Sequence, residues 1–148
     1  MLQPDEKSKP SIPHPNRPIR ALWNMENLAP YPEKAPQCQR CGQVTTLHIT
    51  GSSNRNGNAG RPYYKCSSCI KFCVFKDLRG NDPTNPKYHC GHSSKRQISG
   101  RSKQVAGRVH YVCRLGTCDY FSPGRDEEGA DIIVNEEISN ALSRLYII

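Results

Sequence analysis

Acidic residues are almost missing from the middle of this chain: between positions 38 and 123 there are only Asp77, Asp82 and Asp119. That leaves little for general acid–base chemistry or for holding Mg²⁺. No phosphate-binding Walker loop, nucleophile elbow or deaminase-type His-x-Glu pairing is present either. The chain is therefore expected not to be an enzyme. Apolar residues are also scarce, at 35% against the usual ~45–50%. A large core is excluded, and a small domain short of core needs disulfides or metal. No run approaches the ~18 apolar residues of a membrane span. Residues 1–7 lack the apolar stretch of a secretory signal. The expected setting is intracellular, the nucleus before the cytoplasm. Cysteines kept in a reducing milieu usually bind metal rather than form disulfides.

What the chain does have is eight cysteines arranged as one phrase written twice, from Cys41 to Cys66 and from Cys90 to Cys113. Each copy opens on Cys-Gly (Cys41-Gly42, Cys90-Gly91). Each continues with Ile49-Thr50-Gly51 or Ile98-Ser99-Gly100, then Gly60-Arg61 or Gly107-Arg108. Tyr64 and Tyr111 stand two residues before the closing cysteines. Matches at fixed offsets indicate two copies of one small unit.

Zinc takes four tetrahedral N or S ligands, and two short-spaced pairs brought together by a hairpin supply them. In the first copy these are Cys38, Cys41, Cys66 and Cys69. Cys73 is the alternative to Cys69, because it precedes Val74-Phe75 much as Cys118 precedes Asp119-Tyr120-Phe121. Otherwise Cys73 is a buried hydrophobe. The second copy has Cys90, Cys113 and Cys118 but Lys87 and Tyr88 where a first cysteine would stand. Its fourth ligand is expected to be His92, with His89 as the alternative. The expectation is one Zn²⁺ in the first module, with a second site in the second.

Between the cysteine pairs, residues 44–50, 61–65 and 108–112 are β-branched or aromatic and partly alternating, which predicts strands. Residues 51–60 form a polar turn-rich loop. The predicted fold is small, metal-stabilised and mainly β. It comprises a Pro-rich disordered tail (1–37), two zinc ribbons (38–80 and 87–123) joined by a turn-rich connector, and an acidic segment with an amphipathic helix (124–148). The tail contains the only Trp, Trp23. In the last segment Val134, Ile138, Ala141, Leu142 and Leu145 fall at helical spacing, with Asn135 as the cap.

Gly60-Arg61-Pro62-Tyr63-Tyr64-Lys65-Cys66 resembles the Gly-Arg-aromatic element for which GRF-type zinc fingers are named. Cys38-x2-Cys41-Gly42 resembles the opening pair, and Cys118-Asp119-Tyr120 the closing Cys-x-aromatic. Residues 38–121 are similar to the GRF-like zinc ribbon found in tandem in small fungal proteins. Pro62 and Val109 depart from the aromatic after Gly-Arg. The resemblance implies a zinc-held antiparallel sheet that binds single-stranded nucleic acid.

Charge agrees with an anionic partner. Residues 38–123 carry fourteen Lys/Arg against three Asp/Glu, an excess of eleven. Arg61, Lys65, Arg101, Lys103 and Arg108 are the expected phosphate contacts, and Tyr63, Tyr64 and Tyr111 the expected stacking faces. Neighbours in a strand face opposite ways, so one of Tyr63 and Tyr64 is expected in the core and one outside. The alternative is a protein-interaction adaptor with purely structural zinc, using the tail or the C-terminal helix.

Overall fold

Each cysteine pair reverses the chain, and the β-prone residues on either side run extended and pair. The result, in the computed structural model, is two three-stranded antiparallel sheets. It describes residues 28–148 apart from Cys90 and Ser102; Trp23 therefore lies outside the described residues. The first sheet has the order β1 (Thr46–Ile49), β2 (Pro62–Cys66), β3 (Lys71–Phe75). The second has β4 (Lys95–Ile98), β5 (Val109–Val112), β6 (Phe121–Pro123). A helix, α1 (Glu136–Arg144), follows. Among the described residues no helix is long and apolar enough to cross a membrane.

The repeat is written in the backbone bonds as well as in the residues. Thr50 N donates to Arg61 O at 2.9 Å, and Ser99 N to Arg108 O at 2.9 Å. Thr45 N donates to Pro36 O at 3.0 Å, and Ser94 N to Pro86 O at 2.9 Å. Cys38 N donates to Gln43 O, and Tyr88 N to His92 O. Tyr88, buried, thus takes the position of Cys38 in the second module. That opening turn is one residue shorter than its counterpart.

β1, β2 and β5 lie where alternation predicts strands. β3 escapes the pattern because of a bulge: Tyr64 pairs with Val74 but Lys65 with Phe72. Cys73 is the extra residue, and one extra residue breaks the period of two. β4 escapes because it opens on Lys95-Arg96, which reads as solvated surface.

Lys95 is in fact fully buried, at 0% exposure. Its Nζ donates to Asp77 Oδ1 and to Asp77 O, both at 2.9 Å, and to Asn81 Oδ1 at 3.1 Å. Asp77 also receives Arg61 through Nε at 2.6 Å and Nη2 at 2.8 Å. One carboxylate at the end of β3 therefore ties β2 of the first module to β4 of the second. A buried charge without partners would be expensive, so these three groups depend on one another.

Residues 79–86, the turn-rich connector, also pack between the modules. Arg79, Asn81 and Asn85 are buried. Gly80 O accepts from Arg96 N at 2.8 Å and from Asn85 Nδ2 at 2.8 Å. Gly80 has φ 79°, and a Cβ there would stand 2.1 Å from Arg96 O. The segment is the mortar between the modules, not a spacer.

Within the expected tail, residues 29–36 are tied to the modules. Ala29 N donates to Asn81 O at 2.8 Å, Arg114 Nη1 reaches Pro30 O, and Thr45 Oγ1 donates to Pro36 O at 2.7 Å. Backbone carbonyls left by the prolines are taken up by the folded modules. In α1 the Asn135 side chain accepts from Ile138 N at 2.8 Å, Glu136 and Glu137 occupy the first turn and Arg144 the last, as the caps predict.

Candidate metal centre and binding face

The two knuckles of the first module meet because β2 carries Cys66 back beside the opening turn. The sulfur atoms of Cys38, Cys41, Cys66 and Cys69 all lie within 4.8 Å of one another. Those of Cys41 and Cys66 are 3.6 Å apart. Thiolates held at ~2.3 Å from a zinc ion form a tetrahedron with edges of about 3.8 Å, so this donor set fits Zn²⁺. Arg40 N points at Cys38 Sγ at 3.4 Å, and Cys69 N at Cys66 Sγ at 3.3 Å. N–H groups of Cys41 and Arg40 hold the Cys38 thiol well below its ordinary pKa. Burial and the neighbouring thiols push the Cys69 thiol up. Four crowded thiols cannot all ionise without a cation, and a divalent metal supplies it.

Cys73 stands outside this set. The bulge turns its thiol to Gly116 O, at 3.5 Å, in the second module. It is half-buried between modules, and burial raises its pKa. The likeness between Cys73 and Cys118 is also corrected. Lys65 pairs with Phe72 and Val112 with Phe121. Cys69 lies three residues before Phe72 and Cys118 three before Phe121, so Cys118 answers to Cys69.

In the second module Cys113 Sγ accepts from Thr117 N at 3.2 Å, as Cys66 does from Cys69 N. Burial raises its pKa, but the Thr117 hydroxyl and N–H bring it below the ordinary value. Cys90 lies outside the described residues. His92 packs on Tyr88, ring centroids 6.0 Å apart, and His89 stands edge-on to Tyr120 at 5.4 Å. Among the described residues neither histidine joins Cys113 and Cys118 in a metal-sized group of three.

The expected nucleic-acid contacts separate into committed and available residues. Arg61 is 6% exposed, bound to Asp77 and Asn58, with its guanidinium 3.7 Å from the Phe75 ring centroid. Arg108 pairs with Asp131 at 3.3 Å. Arg61 is therefore spent on a buried structural clamp, while Arg108 is half-buried in its ion pair. Arg101 is exposed but ion-paired with Glu136. Tyr64 is buried, and Tyr111 is half-buried with the Arg96 guanidinium 5.9 Å from its ring. Tyr63 and Lys65 are likewise half-buried, and Lys103 is exposed.

Tyr63 belongs to a ring cluster that the sequence reading did not assemble. It stacks on His48 at 5.5 Å and meets Phe72 at 5.7 Å and Phe75 at 6.3 Å. In the second sheet His110 stacks on Phe121 at 5.1 Å. Phe72 and Phe121 occupy equivalent register positions and are 41% and 54% exposed. Both line a groove of about 690 Å³ between the modules, with Arg40, Lys71 and Lys103, and with Asp119 as its acidic residue. The signal was present as Cys-x2-Phe after each closing knuckle, hidden by matching Cys118 to Cys73.

Four thiols gathered by two knuckles on a three-stranded sheet define a zinc ribbon. More narrowly, residues 35–79 match the family model of the GRF-like zinc ribbon domain. Among solved structures, the chain is similar to the crystal structure of human NEIL3 tandem zinc finger GRF domains. Identity is 21% and the TM-score 0.26, over 62% of this chain and 100% of that one. No curated protein matches.

Proposed function

We propose that this chain is a non-catalytic module that binds single-stranded nucleic acid, with zinc in a structural role. The observation that carries the reading is the groove between the modules. Each sheet turns an exposed phenylalanine into it, and lysines and arginine surround them. Rings offer faces to unpaired bases, and the cations track phosphates. Four thiolates would fill the coordination sphere of zinc and leave no open position for a substrate, which supports a structural role. The reading expects one zinc at the Cys38 set, and a second if Cys90, Cys113 and Cys118 are completed by His92 or His89; native mass spectrometry reads the count directly.

Competition between a single strand and its duplex tests the reading. The single strand should bind more tightly, and Phe72→Ala and Phe121→Ala should each weaken it by ~1–3 kcal/mol. Equal affinity for duplex, or no effect of either substitution, would remove the groove from the account. No affinity for any oligonucleotide would favour the adaptor instead.

A further inference from the structure

A Cys-x2-Cys knuckle passes through the left-handed region just after its second cysteine. At the first module's opening knuckle that residue is Gly42, φ 79°, and in the second module it is Gly91, φ 83°. At the closing knuckle of the first module it is Ile70, φ 52°. A β-branched residue is an outlier there, because its Cβ crowds the neighbouring carbonyl. Burial does not compensate: Ile70 is 68% exposed, among the most exposed large apolar residues described. The knuckle uses the left-handed backbone but not the isoleucine side chain, and an exposed apolar side chain kept at that cost points to a role outside the fold.

Its surroundings indicate which role. Ile70 borders an open pocket of about 380 Å³ shared with Tyr63, Phe72, Phe75 and Lys65, and no carboxylate lines it. Phe72 and Phe75 meet edge to face at 4.9 Å, and Phe72 continues into the groove between the modules. Lys71, exposed, follows Ile70 directly. An apolar lip beside ring faces, flanked by ammonium groups, matches a planar apolar unit with an anion on either side.

We propose that Ile70 is a ligand-contacting residue: the lip against which one unpaired base packs, with the adjoining phosphates reaching Lys65 and Lys71. The proposal rests on the single-strand reading above. Charge and ring faces favour a nucleic acid over an acidic peptide.

The test is anisotropy of fluorescein-labelled oligo(dT) with the zinc-loaded full chain and three variants. Ile70→Gly and Ile70→Asn both tolerate the left-handed backbone and remove the apolar surface; Ile70→Val keeps most of it. The first two should bind roughly tenfold more weakly. The valine variant should stay close to wild type. Zinc content should be unchanged, and the melting temperature of Ile70→Gly should equal or exceed that of wild type. Wild-type binding with unchanged affinity in the Gly and Asn variants would overturn the proposal alone. So would a lower melting temperature in both, which would make Ile70 a fold residue. A wild-type chain that ignores oligo(dT) would remove the single-strand reading and this proposal together. Ile70-dependent binding of an acidic peptide in its place would assign the lip to a protein partner.

Discussion

Cys66 and Cys73 are seven residues apart on neighbouring strands, yet their sulfurs do different work. Cys66 Sγ lies inside the four-thiol cluster, while Cys73 Sγ is turned by the bulge to Gly116 O. Cys66→Ser should therefore abolish zinc in the first module and Cys73→Ser should leave it, read by mass spectrometry of the purified variants. Structural zinc of this kind supplies on the order of 10–16 kcal/mol of folding free energy, so loss of Cys66 should also unfold the module. At Asp77 burial opposes the carboxylate, but the Arg61 bond and the Lys95 charge prevail and hold its pKa down. Its contribution is present above the unfolded value of ~3.9 and is lost as pH falls below that. For Lys95 burial prevails over the pull of Asp77 and lowers the pKa to about 8. The unfolded chain keeps that proton to ~10.4, so between these values the unfolded state binds more protons and stability should rise with pH. Denaturant unfolding of the zinc-loaded chain across that window checks it. Wild type should gain stability relative to Lys95→Met; parallel profiles would contradict the burial of a charged amine.

At the scale of elements, β1, β2 and β5 were legible because β-branched and aromatic residues fill them. α1 was legible because its cap, acidic first turn and basic last turn agree with its apolar spacing. The four-thiol set was legible because Cys-x2-Cys spacing is itself a geometric requirement. Elements whose residues act across the molecule were not legible. Lys95 in β4 reads as surface until Asp77 is placed beside it. Arg61 reads as a phosphate contact until Asp77 is placed beside its buried guanidinium. Residues 79–86 read as a spacer because breakers dominate them, whereas Gly80 and Asn85 are there to bond Arg96 and Ser94. Gly80→Ala puts a Cβ against Arg96 O in a left-handed backbone. It should destabilise the chain by about 2–4 kcal/mol, read by denaturant midpoint. A change under about 0.5 kcal/mol would show that the segment is the loose connector its composition suggests.

For the whole molecule, the Asp77 clamp, the buried residues Arg79, Asn81 and Asn85 and the Gly116–Cys73 contact join the two sheets, with a groove between them. Charge, rings and groove are what support the proposed partner, a polyanion with unpaired bases. The most direct measurement is single-strand affinity against salt concentration, for wild type, Lys65→Ala/Lys71→Ala and Arg61→Ala. Log affinity should fall linearly with log salt at about −0.7 per neutralised phosphate. The double lysine variant should flatten that slope by roughly 1.4, one increment for each lost contact. Arg61→Ala should lower stability and leave the slope alone, since its guanidinium is spent on Asp77. A salt-independent affinity, or none at low salt, would contradict the account.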